Sequence, residues 1–282
     1  MMRYLDAPAL RQALPMERAI AAMEAAFGDD REVPVRIRLG VSLFMPGRVG
    51  EHTGVKVVST VPGNPVGIVA VFGPDGSPLG LVDGAELTKI RTGAASGLAT
   101  RLLARPDAEV LAMLGAGSMA PDQIEAVRTV RPIRRVLVWS RTVEKAERLA
   151  RQVGGEAVDD PDRAVSQADV VCCATPSTRP LFSDDAVRPG THINAVGAFT
   201  PEMVEVPPET LHRAYVVVDD LEAAREEAGD LIQADRFPPN ATIGDVLADR
   251  HPAIGEDVTV FKSVGIASQD VAAAVAALTH TS

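Results

Sequence analysis

Residues Glu109–Val127 of the chain read EVLAMLGAGSMAPDQIEAV. A short apolar run is followed by a glycine turn of the form GxGxxA and then by apolar residues at helical spacing. In such a turn the first glycine permits a tight bend, and the second lets backbone amides approach a pyrophosphate. The small residue at position 120 lets the helix pack closely on the strand. A glycine turn of this form can also occur without binding any ligand. The elements around it therefore show whether it is a dinucleotide site.

Downstream of this turn, strand patterns and helix patterns alternate. The predicted strands are continuous apolar runs, which is typical of a parallel sheet covered on both faces; they lie at 110–114, 136–139, 156–158, 169–174, 192–196 and 215–219. This order predicts an α/β protein with a Rossmann doubly wound parallel sheet. In that setting the turn predicts a dinucleotide site formed by Gly115, Ala116, Gly117, Ser118 and Met119.

The residues before the turn follow a different pattern. A helical pattern at 16–27 gives way to short strand patterns, separated by glycine and proline, and then to a second helix at 87–104. We therefore predict a second, α+β domain over residues 1–107 and a dinucleotide-binding Rossmann domain over 108–261. An alanine-rich C-terminal helix, 262–282, is predicted to return to the first domain.

The end of the second predicted strand indicates which dinucleotide is bound. A site for NAD normally has an acidic residue there, to bind the ribose hydroxyls. This sequence has Ser140, Arg141 and Thr142 instead. A guanidinium flanked by two hydroxyls suits a phosphate, which a carboxylate would repel. We predict a preference for NADP(H), with NAD(H) possible; the alternative is a solvated arginine at a helix start.

Composition excludes several classes of partner. A formal net charge of −10 argues against a nucleic-acid ligand. No apolar run approaches the ~18 residues that a membrane span needs, and the N-terminus has no signal-like apolar core, so a cytoplasmic location without membrane contact is expected. Cys172 and Cys173 are strand neighbours that point to opposite faces, and the five histidines lack zinc-like spacing, so no metal is predicted.

Several further segments resemble the ornithine cyclodeaminase and mu-crystallin family. They occur in order along most of the chain: VPVRIRL (33–39), MP (45–46), GVKVVSTVPGN (54–64), LTKIRTGAASGLA (87–99), LGAGSMA (114–120), VWSRT (138–142), ATPS (174–177), HINAVGAFTPEMVEV (192–206), VDD (218–220) and FKSVGIASQD (261–270). The combination of LT-x-x-RT-x-A with HINAVG is the most specific part of the match.

The resemblance implies that the domain of residues 1–107 binds the substrate and forms a homodimer. It also implies chemistry at a carbon–nitrogen bond next to a carboxylate. By the family motif, Arg36, Lys56 and Arg91 would surround the substrate carboxylate. Thr92 and the helix after it would approach the cofactor phosphates. Ala174, Thr175, Val196 and Gly197, at the ends of predicted strands, would border the nicotinamide.

The residue types agree with that assignment but leave alternatives open. Lys56 interrupts an otherwise apolar strand, so its ammonium group either faces water or pairs with a buried anion. Arg91 precedes a run of small residues, Gly93–Gly97, that permits close backbone approach, although an ordinary arginine near a helix end would look the same. Two arginines and a lysine gathered at one site would suit a carboxylate substrate.

One segment departs from the cyclodeaminase pattern. Family members that cyclise ornithine carry an aspartate in a GGD-C-P segment, and Phe199 takes that position here. Phenylalanine can neither accept a proton nor pair with an ammonium group. The FKSVG run, with Lys262 where cyclodeaminases usually have aspartate, also favours the mu-crystallin side of the family, whose members are ketimine reductases.

We therefore expect an NAD(P)H-dependent enzyme that reduces a small 2-imino acid or cyclic ketimine to the amino acid. Arg36 and Arg91 would bind the carboxylate, and Lys56 would be the catalytic residue that supplies or holds the proton. Two alternatives stay open. One is an ornithine cyclodeaminase or an alanine-type amino-acid dehydrogenase. The other is a non-catalytic, NADPH-binding, crystallin-like protein.

Overall fold

A computed structural model describes residues 2–61, 66–251 and 257–279. The chain forms two compact units, residues 1–95 together with 266–282, and residues 96–265. The division therefore falls inside the helix Gly84–Leu103, earlier than the predicted boundary after residue 107. Within the described ranges, no helix has both the length and the apolar character that crossing a bilayer requires.

The first unit is a mainly antiparallel sheet with helices. Its sheet has the order β1-β7-β6-β5-β4-β2, with β3 paired to β4 and only β1 parallel to its neighbour. The elements are β1 (Tyr4–Leu5), α1 (Ala7–Ala13), α2 (Met16–Phe27), β2 (Arg31–Glu32), β3 (Ile37–Leu39), β4 (Ser42–Val49), β5 (His52–Ser59), β6 (Gly67–Phe72), β7 (Pro78–Asp83), the start of α3 (Gly84–Leu103) and α11 (Ala267–Leu278).

The C-terminal helix α11 is part of the first unit and packs on β4, β5 and α2. Glycines in the sheet allow this close approach, since a Cβ added at Gly47 would meet the Cβ of Ala267 at 3.0 Å. At Gly54 an added Cβ would meet the Val271 side chain, also at 3.0 Å. The polar N-terminal turn of α11 is thereby fixed beside the strand that carries Lys56.

The second unit is the parallel sheet that the glycine turn predicted. Its order is β10-β9-β8-β11-β12-β15-β13-β14, and every pairing is parallel. Its elements are β8 (Val110–Leu114), α4 (Ala120–Val130), β9 (Arg135–Trp139), α5 (Val143–Val153), β10 (Glu156–Ala157), α6 (Pro161–Val165), β11 (Val170–Cys173), a 3₁₀ helix (Asp184–Ala186), β12 (His192–Ala195), α7 (Pro208–Arg213), β13 (Tyr215–Val218), α8 (Leu221–Glu227), α9 (Gly229–Gln233), β14 (Ala241–Thr242), α10 (Ile243–Leu247) and β15 (Thr259–Lys262). The Rossmann-type α/β fold is confirmed.

One element was assigned wrongly from the sequence. The helix predicted from residue 262 begins at Ala267, because Thr259–Lys262 forms a strand between β12 and β13. The segment is short and apolar, and it joins the sheet out of chain order. Its apolar run cannot be told from the start of a buried helix by periodicity alone.

The two faces of the parallel sheet are buried in separate cores. Cys172 belongs to one apolar cluster and Cys173 to the other, so the two thiols point to opposite faces as predicted. Both are free and buried, and burial raises the pKa of Cys172 to about 12. These thiols are therefore unreactive core residues.

Candidate active site

The glycine turn lies between β8 and α4 and has the geometry that a phosphate-binding loop needs. Gly115 has a φ of +113°, and a Cβ added there would meet the carbonyl oxygen of Ala174 at 2.8 Å. At Gly117 an added Cβ would meet nothing within 4 Å. The first glycine is thus required by the fold, whereas the second leaves open space where a ligand phosphate can approach the backbone.

A cavity of about 210 Å³ opens beside this turn. Most of the residues predicted to bind the cofactor line it, namely Gly115, Ala116, Gly117, Ser140, Arg141, Thr142, Ala174 and Thr175. Five further residues complete the lining, namely Trp139, Lys145, Pro176, Ser177 and Leu181. Four predicted residues, Ser118, Met119, Val196 and Gly197, do not line it. Thr92 belongs to the first unit.

The cavity end nearest β9 is positively charged. Arg141 and Lys145 are exposed and lie one helical turn apart at the start of α5, next to the hydroxyls of Ser140 and Thr142. No carboxylate is among the described residues that line the cavity. The site therefore offers two cations and two hydroxyls at the place where an NAD site has an acid.

A second cluster of charged side chains forms in the first unit, around Lys56. This residue is only 4% exposed, so its ammonium group does not face water. Its Nζ donates to Thr88 Oγ1 at 2.7 Å and to Asp270 Oδ1 at 3.2 Å. Of the two alternatives open from the sequence, pairing with a buried anion is the one observed.

Arg91 reaches the same carboxylate. Its Nε donates to Asp270 Oδ1 at 3.2 Å, and its Nη1 donates to Gln269 Oε1 at 2.9 Å. Arg36 is half-buried, and its charge acts on the Lys56 ammonium. Lys56 and Arg91 therefore pair with a single buried aspartate, and Arg36 acts on Lys56 through its charge, so the cluster carries an excess of positive charge.

The surroundings of Lys56 bring its pKa close to neutral pH. Together these groups lower the pKa of Lys56 to about 8: burial is the largest cause, the charges of Arg91 and Arg36 act in the same direction, and Asp270 acts in the opposite direction. Asp270 Oδ2 and Gln269 Nε2 are buried without a hydrogen-bond partner among the described residues. An ammonium group with this pKa can give or take a proton under physiological conditions.

Thr92 has a local role in helix α3. Its hydroxyl donates to the carbonyl of Thr88 at 2.6 Å, and the Thr88 hydroxyl donates to the carbonyl of Gly84 at 2.7 Å. Such back-bonding in a helix fixes the side-chain rotamers of both residues. Thr88 therefore presents a lone pair to Lys56 in a fixed position.

Asp219 and Asp220, which lie near the Rossmann strands in sequence, have structural partners. Asp219 Oδ2 accepts from Ser263 Oγ and from the amides of Val264 and Gly265, at 2.8 to 2.9 Å. Asp220 caps helix α8. Asp219 thus fixes the turn after β15, and both acids are accounted for by the fold.

The sequence did not single out three residues that the site uses. Asp270 lies in the quoted FKSVGIASQD segment, but nothing local indicates that it meets Lys56, which is distant in the chain. Lys145 follows Arg141 by four residues, a spacing that could have revealed a second cation at the same helix start. Glu205 is fully buried at the strand ends, in a segment read only as a family motif.

Among the described residues, no three histidine, cysteine, aspartate or glutamate side chains gather as a metal site would require. The charged groups present are instead suited to organic anions, a phosphate at Arg141 and a carboxylate at Lys56 and Arg91.

The parallel sheet and the glycine turn define a Rossmann-type nucleotide-binding protein. More narrowly, the chain belongs to the ornithine cyclodeaminase/mu-crystallin family, whose model matches residues 9–279. The Δ1-pyrroline-2-carboxylate reductase of Bacillus cereus is 38% identical over 287 residues, covering 91% of this chain and 88% of the relative. The ketimine reductase mu-crystallin of Mus musculus is 40% identical over 73% of this chain and 66% of its own length.

A solved structure is similar over nearly the whole chain. It is the Δ1-pyrroline-2-carboxylate reductase of Thermococcus litoralis in complex with NADH and L-proline, with a TM-score of 0.90 and 30% identity. The similarity covers 98% of this chain and 96% of that one. The prediction that this sequence resembles the reductase side of the family is confirmed.

Proposed function

We propose that this protein is an NAD(P)H-dependent reductase of small 2-imino acids or cyclic ketimines, of which Δ1-pyrroline-2-carboxylate is one example. The observation that carries the proposal is the buried cluster of Lys56 and Arg91 on Asp270, with Arg36 acting on it. Its excess positive charge suits one small carboxylate. The reductases among its relatives support the same chemistry.

The chain's own residues would divide the work in a simple way. Arg91 and Arg36 would bind the carboxylate, which fixes the adjacent imine carbon in one orientation. Lys56, held by Thr88 and Asp270, would keep a proton at the imine nitrogen. A bound reduced nicotinamide supplies the hydride. The carbon then gains the hydride and the nitrogen the proton, which gives the amino acid; the reverse reaction is that of an amino-acid dehydrogenase.

We further propose that NADP(H) is the preferred dinucleotide, with NAD(H) as a weaker alternative. Arg141 and Lys145 supply two cations beside the cavity, and Ser140 and Thr142 supply hydroxyls. The open space at Gly117 and the required glycine at position 115 fit the pyrophosphate. Because the structure of the Thermococcus litoralis reductase holds NADH, this preference is a property we assign from the side chains of this chain alone.

The test is a substrate panel with the purified protein. NADPH or NADH oxidation is followed at 340 nm against Δ1-pyrroline-2-carboxylate, Δ1-piperideine-2-carboxylate and pyruvate with methylamine. We expect turnover of at least one of these imines and none with Lys56→Met. Lys89→Met is the matched control, since Lys89 is a partly exposed lysine paired with Glu86. Tight NADPH binding without any turnover would instead establish a non-catalytic binding protein.

A further inference from the structure

The loops that follow β11 and β12 approach each other unusually closely. A Cβ added at Gly197 would meet the backbone nitrogen and oxygen of Thr175 at 2.2 and 2.3 Å. No side chain fits between them, so position 197 must be glycine for the two loops to keep this spacing. Ala174 and Thr175 of the first loop line the cavity.

One buried carboxylate holds the two loops together. Glu205 Oε1 accepts from the amide of Thr175 at 2.6 Å and from its hydroxyl at 2.9 Å. Its Oε2 accepts from the amides of Gly197 and Ala198 at 2.7 and 3.1 Å. Each carboxylate oxygen thus accepts hydrogen bonds from one of the two loops. These N–H and O–H donors at the strand ends are therefore satisfied within the protein.

Glu205 is itself fixed by a second buried acid. The amides of Glu205 and Val206 donate to Asp230 Oδ1 at 2.6 and 2.9 Å. The other oxygen of Asp230 pairs with Lys262 Nζ at 2.8 Å, and that Nζ also donates to the carbonyl of Ala198. The loop after β12 is therefore held both by the Glu205 carboxylate, at its amides, and by the Lys262 ammonium, at its carbonyl.

The backbone of the Glu205 segment is anchored to the first loop as well. The amide of Val204 donates to the carbonyl of Ser177 at 2.8 Å, and the amide of Leu181 donates to the carbonyl of Glu205 at 2.9 Å. A change of charge or length at position 205 should consequently alter the distance between the two loops more than it alters the rest of the sheet.

We propose that Glu205 is a positioning residue for the nicotinamide end of the bound dinucleotide, through the geometry it imposes on Thr175 and Gly197. This inference rests on the proposed function and on the prediction from the sequence that Thr175 and Gly197 border the nicotinamide. The adenosine and phosphate end of the dinucleotide is served by Gly117 and Arg141 instead. The two ends of the ligand are therefore controlled by different residues and can be measured separately.

A glutamine at position 205 would not preserve the clamp. It has the same shape, but its amide group would face a backbone N–H, so that two donors oppose each other. Burial raises the pKa of Glu205 to about 7 against the effect of Lys262, with Asp230 adding to the rise. Binding should therefore be measured at pH 8, where the wild-type carboxylate is mostly ionised.

The experiment compares two ligands by calorimetry at pH 8. NADPH carries the nicotinamide, and 2′-phospho-ADP-ribose lacks it but keeps the phosphates and the adenosine. In Glu205→Gln we expect the Kd for NADPH to rise about tenfold or more, as expected for loss of a hydrogen bond to a charged group. The Kd for 2′-phospho-ADP-ribose should stay within about twofold of the wild-type value, a difference in binding free energy below about 0.5 kcal/mol.

Two further variants complete the design. Glu202→Gln makes the same chemical change at an exposed position of the same loop and should alter neither Kd. Thr175→Val removes only one of the four donors, so a smaller rise in the NADPH Kd is expected even if Glu205→Gln fails to fold. An equal rise for both ligands, or no rise for either, would overturn the proposal.

The outcome is separable from that of the proposed function. A wild-type protein that binds NADPH more tightly than 2′-phospho-ADP-ribose, but reduces no imine, contradicts the assigned reaction and leaves the role of Glu205 measurable. A wild-type protein that binds the two ligands equally well contradicts the role of Glu205, because the nicotinamide then contributes nothing for it to position.

Discussion

Lys56 is an ammonium group almost removed from water, held by one carboxylate and one hydroxyl. Its depressed pKa sets the sign of a pH effect. The proposed mechanism needs the protonated form, which is lost as the pH rises through about 8, well below the usual lysine value of 10.5. A lysine facing solvent would instead keep its proton to higher pH.

We therefore expect kcat/KM for imine reduction to fall as the pH rises through about 8. In Lys56→Arg the side chain keeps its charge throughout this range, so the alkaline limb assigned to Lys56 should disappear from a slower enzyme. The variant also reports any titration of the imine itself. An identical alkaline limb in both proteins would show that Lys56 does not control it.

Arg141 is the residue on which the choice of dinucleotide depends most. Arg141→Asp places an acid where NAD sites have one and should repel the 2′-phosphate of NADPH. The ratio of kcat/KM for NADPH to that for NADH should fall by about tenfold to a hundredfold, the loss expected for a charge-assisted contact. Arg148→Asp, at an exposed site on helix α5, which begins two residues after Arg141, is the control. An unchanged ratio in Arg141→Asp would remove Arg141 from the phosphate site.

Among the structural elements, the turn between β8 and α4 contains two glycines with different roles. Gly115 is needed for the fold, and Gly117 is proposed to be needed for binding. Gly115→Ala should lower Tm, because its φ is positive and an added Cβ would collide with Ala174. Gly117→Ala should leave Tm nearly unchanged, because its Cβ would occupy open space.

The same pair of variants tests the binding loop directly. We expect Gly117→Ala to weaken dinucleotide binding while the protein remains folded, since the added methyl group lies where the backbone meets the phosphates. Binding can be followed by the fluorescence of Trp139, the sole tryptophan, which lines the cavity. An unaltered Kd in a stable Gly117→Ala protein would place the phosphates elsewhere.

Elements with a strong local pattern were predictable, and those defined by distant pairing were not. Helix α2 has the predicted bounds, and β8 is the predicted strand, because each has an apolar pattern of one clear period. Strand β15 was missed because its identity depends on neighbours far away in the chain. Asp270 and Glu205 were missed for the same reason. The role of a buried acid depends on the groups that donate hydrogen bonds to it, and these lie far from it in the sequence.

At the scale of the whole molecule, an exposed apolar row on the first unit supports the expected homodimer. The side chains of Val35, Ile37, Leu39 and Val41 are each more than 60% exposed. Ile37 and Leu39 share one face of β3, because alternate residues of a strand point the same way. Val35 precedes this strand, and Val41 lies in the turn that follows it. We call these four residues the apolar strip. Single exposed apolar residues are common, but a strip of this kind marks an interaction surface.

We propose that a second copy of this chain covers the strip. Size-exclusion chromatography with light scattering should give a dimer for the wild-type protein and a shift toward monomer for Leu39→Asp. Arg38→Asp is the control, because this exposed neighbour points to the other face of the strand. A wild-type monomer at micromolar concentration would contradict the proposed assembly.

The proposed role of the cationic cluster is recognition of the carboxylate of an imine substrate. Its most direct test is kcat/KM for Δ1-pyrroline-2-carboxylate relative to Δ1-pyrroline, which lacks the carboxylate, in the wild-type protein and in Arg91→Gln. The ratio within each protein is independent of the fraction that is folded. We predict a strong wild-type preference for the carboxylate that falls by about tenfold to a hundredfold in the variant. A ratio that is the same in both proteins would contradict the account.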